Sequence, residues 1–235
     1  MSAAAVLSTL VIVVGQSNAL GFKVSPAELP AGLRPDPMVQ IERGGRFETL
    51  RPGINTGGPN TPAAWGPEVE FARRWRAAHP RERLYVVKSA RGSTGVARDP
   101  QQWDWSPASR GEQYDVATAQ VRAATAKLGG VDRVVILWMG GETDTTSPQK
   151  AAAHEANLRA LFARMRADWK LPKATIVIAR IADEWDRAGP VRRAQTRLGA
   201  FSTDAFPMQP DQRHYNGKGQ LQLGGAFYEA DQRQR

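Results

Sequence analysis

Apolar, β-branched runs punctuate the chain at Leu10-Val11-Ile12-Val13-Val14, Leu84-Tyr85-Val86-Val87, Val131 to Trp138 and Thr175 to Ile181. Each is short and runs into a polar or glycine-bearing turn, as strands buried on both faces of a parallel sheet do. Between them the apolar period becomes helical. Phe71, Trp75 and Ala78 share one face of a helix opening at Gly66-Pro67-Glu68, where proline suits the first turn and glutamate the positive helix end. Ala117, Val121, Ala124 and Leu128 form a second stripe, closed by Gly129-Gly130. Pro148 opens a third helix, buried along Leu158, Leu161, Phe162, Met165 and Trp169. A more polar helix is expected over Pro190 to Leu198, and a last one from about Gly217 carrying Leu221 and Phe227 or Tyr228. Strands alternating with helices imply βαβ units. The expected architecture is a three-layer α/β/α sandwich around a central parallel sheet, one domain over residues 1–235.

One segment shows no such period. From Ala19 to Ala63 the chain is rich in proline and glycine and reads as a long irregular loop. Loops of this length in a compact domain usually build a binding site or are disordered, and this one leaves directly from the end of the first strand.

Composition narrows the function classes. At 235 residues and 41% hydrophobic, the chain can bury a large core. It has no cysteine, which removes disulfides, thiol catalysis and cysteine metal sites. The net charge of +9 raises nucleic-acid binding as a possibility. Yet Arg73, Arg74, Arg76, Arg81 and Arg83, like Arg159, Arg164 and Arg166, are spread along amphipathic segments without interleaved aromatics. A solvated basic surface, with no nucleic-acid partner, is the expectation. Ala3 to Val14 is apolar but lacks the positive region and cleavage site of a secretion signal. No stretch reaches the roughly 18 apolar residues of a membrane span. A soluble protein without a membrane partner is expected, cytoplasmic or carried on a phage or other particle.

The candidate chemistry lies at the strand ends. In Gly15-Gln16-Ser17-Asn18 a rigid strand presents a serine at the sheet edge where open α/β folds bind ligands. The Arg91-Gly92-Ser93 turn and the Gly140 to Asp144 turn come to the same edge. Near the C-terminus, Asp211-Gln212-Arg213-His214 sets a carboxylate three residues before an imidazole. A serine hydroxyl needs a base to take its proton, and the base needs an acid to fix its tautomer. His79 ends a helix and His154 lies inside one, which leaves His214 as the candidate base.

The ordered set Gly15-Gln16-Ser17-Asn18, Gly66-Pro67-Glu68, Lys88-x-Ala90-x-Gly92, Trp138-x-x-Gly141-Glu142-x-Asp144 and Asp211-x-x-His214 resembles the SGNH/GDSL hydrolases. The resemblance is to the branch of sialate O-acetylesterase-like and carbohydrate acetylesterases. It implies a flavodoxin-like sandwich and ester hydrolysis through an acyl-enzyme, with no metal or other cofactor. Carried over, Ser17 is the nucleophile, His214 the general base and then acid, and Asp211 its orienting partner. The N–H groups of Ser17 and Gly92 form the oxyanion hole. Gln16, Asn18, Glu142 and Asp144 support the active edge. The family usually places a glutamine, a third oxyanion donor, where this chain has Gly140. Losing such a donor costs roughly 3 kcal/mol. The resemblance therefore leaves a slower enzyme, one that recruits a donor from the glycine turn or from Asn55 or Asn60, or a weak or inactive domain with a binding or structural role.

The expected substrate is a small acyl ester, acetyl by resemblance, on a carbohydrate. Trp65, Trp103 and Trp105 are either stacking surfaces for a sugar or ordinary packing.

Overall fold

The computed structural model describes residues 6–235, so the first five residues, with the start of the apolar run at Ala3, lie outside it. Six strands form one sheet: β1 (Ser8–Gly15), β2 (Val39–Arg43), β3 (Arg46–Thr49), β4 (Arg83–Ala90), β5 (Arg133–Met139) and β6 (Thr175–Ala179). Their order is β3-β2-β4-β1-β5-β6. Every neighbouring pair is parallel except the β2–β3 hairpin. Around the sheet lie α1 (Ser17–Leu20), α2 (Glu68–Ala78), α3 (Gln113–Leu128), α4 (Pro148–Asp168), α5 (Ala188–Arg197) and α6 (Gly217–Gln232).

The alternation of β1 explains the layering. Val11 and Val13 point into a core shared with Phe71 and Trp75 of α2, Val191 of α5, and Leu223 and Phe227 of α6. Leu10, Ile12 and Val14 point the other way, against Tyr114, Ala117 and Val121 of α3 and Leu158, Leu161 and Met165 of α4. All five β1 residues are essentially inaccessible to water. Each contributes on the order of 1.5–3 kcal/mol by leaving it, before entropy is counted. The apolar face of α2 runs through Val69, Phe71, Ala72 and Trp75; Ala78, expected on that face, is exposed in the last turn. Trp65 and Trp105 are fully buried. They are core side chains and offer no surface to a sugar.

The segment from Ala19 to Ala63 is not wholly irregular, which corrects the sequence expectation. It contains the β2–β3 hairpin, whose two-residue turn is Gly44-Gly45, with φ of 56° and 79°. Both values are left-handed, the geometry a type I′ turn needs and glycine adopts without strain. Among the described residues no helix is long and apolar enough to cross a membrane.

Candidate active site

The reactive edge begins where β1 stops. Gly15 has φ of 136°, and a Cβ there would sit 1.8 Å from the Met139 carbonyl oxygen. Only glycine allows β1 to approach β5 this closely and still turn. Past it, the Gln16 N–H donates to the Met139 carbonyl (2.9 Å), and the carbonyls of Gln16 and Ser17 accept from Leu20 and Gly21 (both 3.0 Å). Ser17 thus starts the short helix α1. Among the described residues its hydroxyl has no hydrogen-bond partner, and the side chain faces a cleft of about 530 Å³.

His214 lines the same cleft. Its Nδ1 lies 2.8 Å from Asp211 Oδ2. An ionised carboxylate only accepts, so Nδ1 is the donor of this pair, and in the neutral ring Nε2 is the nitrogen left with a lone pair. Asp211 also accepts the backbone N–H groups of Arg213 (3.0 Å) and His214 (3.1 Å) through Oδ1, a turn that locks the two residues together. Burial pushes the Asp211 carboxyl up, but the His214 ring and these two N–H groups outweigh it and hold it well below the usual carboxylate range. The Phe22 ring packs 4.9 Å from the imidazole, centroid to centroid. No direct hydrogen bond joins the Ser17 hydroxyl to the His214 ring among the described residues. Such contacts are often long before substrate binds and tighten in the complex.

Asn18 ties the serine turn to the histidine loop. Its Nδ2 donates to Glu142 Oε1 (2.9 Å) and to the Arg213 carbonyl (3.1 Å), while its Oδ1 accepts from the Tyr215 N–H (3.1 Å). One buried amide therefore holds the peptide groups on either side of His214. Glu142 is completely buried, and its Oε2 has no partner. Burial pushes its carboxyl up to about 7, against the Asn18 hydrogen bond. Gln16 braces the neighbouring turn, its Oε1 accepting from the N–H groups of Gly141 and Thr143 (both 3.3 Å).

Beneath this edge lie two buried networks that sequence reasoning did not find. Lys88 Nζ donates to Glu68 Oε1 (2.8 Å) and to the Leu20 carbonyl (2.9 Å), joining β4 and α2 to the end of the serine helix. Burial pushes the Lys88 ammonium down, with Glu68 opposing. The second network starts at Asp144, which accepts the N–H groups of Val96 (2.9 Å) and Ala97 (3.0 Å) and meets His154 Nδ1 at 3.2 Å. His154 Nε2 lies 3.3 Å from Gln195 Nε2, which also donates to the Gly140 carbonyl (2.8 Å). His154 is fully buried and lines no part of the cleft. Spacing alone could not reveal either network, because their members are far apart in the chain.

The oxyanion candidates separate. Gly92 lies against Ser17, whose Cβ would be 3.7 Å from a Cβ built on the glycine, and it lines the cleft. The N–H groups of Ser17 and Gly92 have no acceptor among the described residues. Gly140 is buried and does not line the cleft, and its carbonyl is taken by Gln195 and, at 3.3 Å, by Trp138 Nε1. Asn55 is committed to Glu48 and the Thr49 carbonyl, whereas Asn60 lines the cleft on the Gly58–Thr61 turn. Of the three tryptophans, Trp103 alone is partly exposed, at 36%, and the Arg91 guanidinium lies 3.8 Å over its ring. Among the described residues no group of His, Asp and Glu side chains is arranged to hold a metal ion.

Comparison with known proteins gives the chain a family and a fold. The family model described as "Carbohydrate esterase, sialic acid-specific acetylesterase" matches residues 8–233. The chain belongs to that family. No curated protein matches the esterase in sequence. Its fold is that of a protein from Arabidopsis thaliana (20% identity, 94% of this chain and 96% of the other covered, TM-score 0.75). It is also similar in plan to NanS (15% identity, 97% and 98% covered, TM-score 0.70). A carbohydrate acetylesterase from Xanthomonas citri gives 14% identity, 96% and 55% coverage and a TM-score of 0.63. The esterase is a carboxylic ester hydrolase with the SGNH fold.

Proposed function

We propose that the esterase removes acetyl groups from an O-acetylated carbohydrate by a serine mechanism. Ser17 Oγ attacks the ester carbonyl while His214 Nε2 takes its proton. Asp211 steadies the imidazolium that forms. The N–H groups of Ser17 and Gly92 receive the tetrahedral oxyanion. As it collapses, His214 returns the proton to the leaving sugar oxygen, and Ser17 is left acetylated. A water molecule, deprotonated by His214, then attacks the acyl-enzyme; its collapse releases acetate and frees Ser17. Asn18, Glu142, Gln16 and Asp144 hold the turns without touching the substrate.

The observation that supports this reading most is that His214, paired with Asp211 at 2.8 Å, lines the same cleft as an unpartnered serine hydroxyl. Gly140 supplies no side-chain donor, so the oxyanion rests on backbone N–H groups, and modest turnover is expected, roughly a hundredfold below an enzyme with the third donor. The test is acetate release from 4-nitrophenyl acetate and from an acetylated methyl glycoside by the native chain and by Ser17→Ala. A rate in the native chain that vanishes in Ser17→Ala supports the mechanism. Equal rates in the two proteins refute it.

A further inference from the structure

The loop that carries His214 does not keep its shape by local preference. Gln212, two residues before the histidine, has φ of 52°, a left-handed value that is costly for any residue with a side chain. Asp211 lies inside the same loop, so its bond to Nδ1 sets the direction of the ring without setting where the loop sits relative to Ser17. That distance has to be fixed from outside the loop.

Gln209 is placed to fix it. Its backbone N–H donates to the His214 carbonyl (2.7 Å), and its carbonyl accepts from the Gln212 N–H (2.9 Å). The two hydrogens of its side-chain amide serve two further carbonyls: Nε2 donates to Tyr215 (3.2 Å) and, 187 positions away in the chain, to Phe22 (2.9 Å). Phe22 in turn donates its own N–H to the Ser17 carbonyl (3.0 Å), and its ring packs 4.9 Å from the imidazole. A continuous path therefore runs from the Ser17 carbonyl through the Phe22 peptide and the Gln209 amide to the peptide group that follows His214. Asn18 makes a second crossing, gripping the Arg213 carbonyl and the Tyr215 N–H. With Asp211 on the His214 N–H, every peptide N–H and C=O from the Arg213 carbonyl to the Tyr215 carbonyl has a partner.

We propose that Gln209 is a positioning residue of the esterase, which sets the reach of the His214 ring to Ser17 by clamping the Phe22 and Tyr215 carbonyls together. An error of about 1 Å in the placement of a reacting group can cost a hundredfold in rate. The proposal rests on the serine-esterase reading and adds to it the residue that holds the base at its distance.

The test compares Gln209→Met with Asn216→Ala. Gln209→Met keeps the length of the side chain and both backbone bonds but removes the two amide donors. Asn216→Ala is the control in the same hairpin: it breaks the bonds of that side chain to the Met208 carbonyl (3.1 Å) and the Gly219 N–H (3.0 Å), neither of which leads to Ser17. On 4-nitrophenyl acetate, kcat should fall roughly tenfold or more in Gln209→Met with KM within about twofold, and stay within about twofold of native in Asn216→Ala. The second readout needs no turnover. Nuclear Overhauser contacts between the Phe22 and His214 rings, with His214→Gln to assign the imidazole signals, should be present in the native chain and in Asn216→Ala and lost in Gln209→Met. A kcat unchanged in Gln209→Met, an equal loss in Asn216→Ala, or ring contacts that survive Gln209→Met overturns the proposal and leaves the esterase reading intact. If the native chain shows no Ser17-dependent turnover, the esterase reading falls; loss of the ring contacts in Gln209→Met alone then still upholds the clamp on the imidazole, and their retention refutes both.

Discussion

Glu142 offers a perturbation whose size and sign can be worked from the structure. The carboxyl is fully buried, Oε1 accepts from Asn18, and Oε2 meets no donor. Desolvation first, with Asp144 adding to it, raises its pKa from 4.5 to about 7, against the Asn18 hydrogen bond and His154. In the unfolded chain the group ionises freely, so between these two values the folded state holds the proton more tightly. Stability on this account is greatest below the unfolded pKa and is lost as pH rises through the folded one. At about 1.4 kcal/mol per pKa unit the full difference is about 3 kcal/mol, and roughly 2 kcal/mol of it falls between pH 5 and pH 8. Glu142→Gln is the permanent neutral isostere: it keeps an acceptor for Asn18 and removes the charge. Urea unfolding of both proteins at pH 5, 6, 7 and 8 reads the effect. The variant should gain on the native chain by about 2 kcal/mol across that range. A difference that stays flat with pH, or grows in the opposite direction, refutes the reasoning.

Other consequences follow from particular contacts. Lys88→Met leaves Glu68 buried without its cation and releases the Leu20 carbonyl, so it should cost about 3–5 kcal/mol by chemical denaturation. The double change Lys88→Met with Glu68→Leu should recover much of that loss. Gly15→Ala puts a Cβ 1.8 Å from the Met139 carbonyl oxygen and should prevent native folding, read as loss of the cooperative thermal transition. Asp211→Asn keeps the shape of the 211–214 turn but removes the charge facing His214 Nδ1; kcat on an acetyl ester should fall by about 10²–10⁴ with KM changed little.

The layered fold was legible because its signals are local and repeated. Leu10 to Val14 is apolar at every position, short and β-branched, as a strand buried on both faces is, and Leu158, Leu161, Phe162 and Met165 recur with helical period. The β2–β3 hairpin escaped because its strands are short, close one end of the sheet and sit among prolines and glycines. The signal was present: Val39 and Ile41 alternate with Gln40 and Glu42 ahead of Gly44-Gly45. Burial was less readable than type. Trp65, Trp103 and Trp105 look alike in sequence, yet Trp103 alone retains an exposed face. At the active edge, Ser17 and the Asp211–His214 pair stood out because each sits in a short motif with a chemical rationale. The clamp of Asn18 on Glu142 and the histidine loop spans 124 positions on one side and 195 on the other. Contacts of that range are products of the topology, and no spacing rule announces them.

Ser17 carries the central claim, and covalent trapping tests it most directly. The native chain, incubated with an alkyl phosphonate ester and analysed by intact mass and peptide mapping, should gain a single adduct on Ser17, and the labelling rate should collapse in His214→Ala. Absence of an adduct at Ser17, or labelling that proceeds equally fast without His214, would contradict the account.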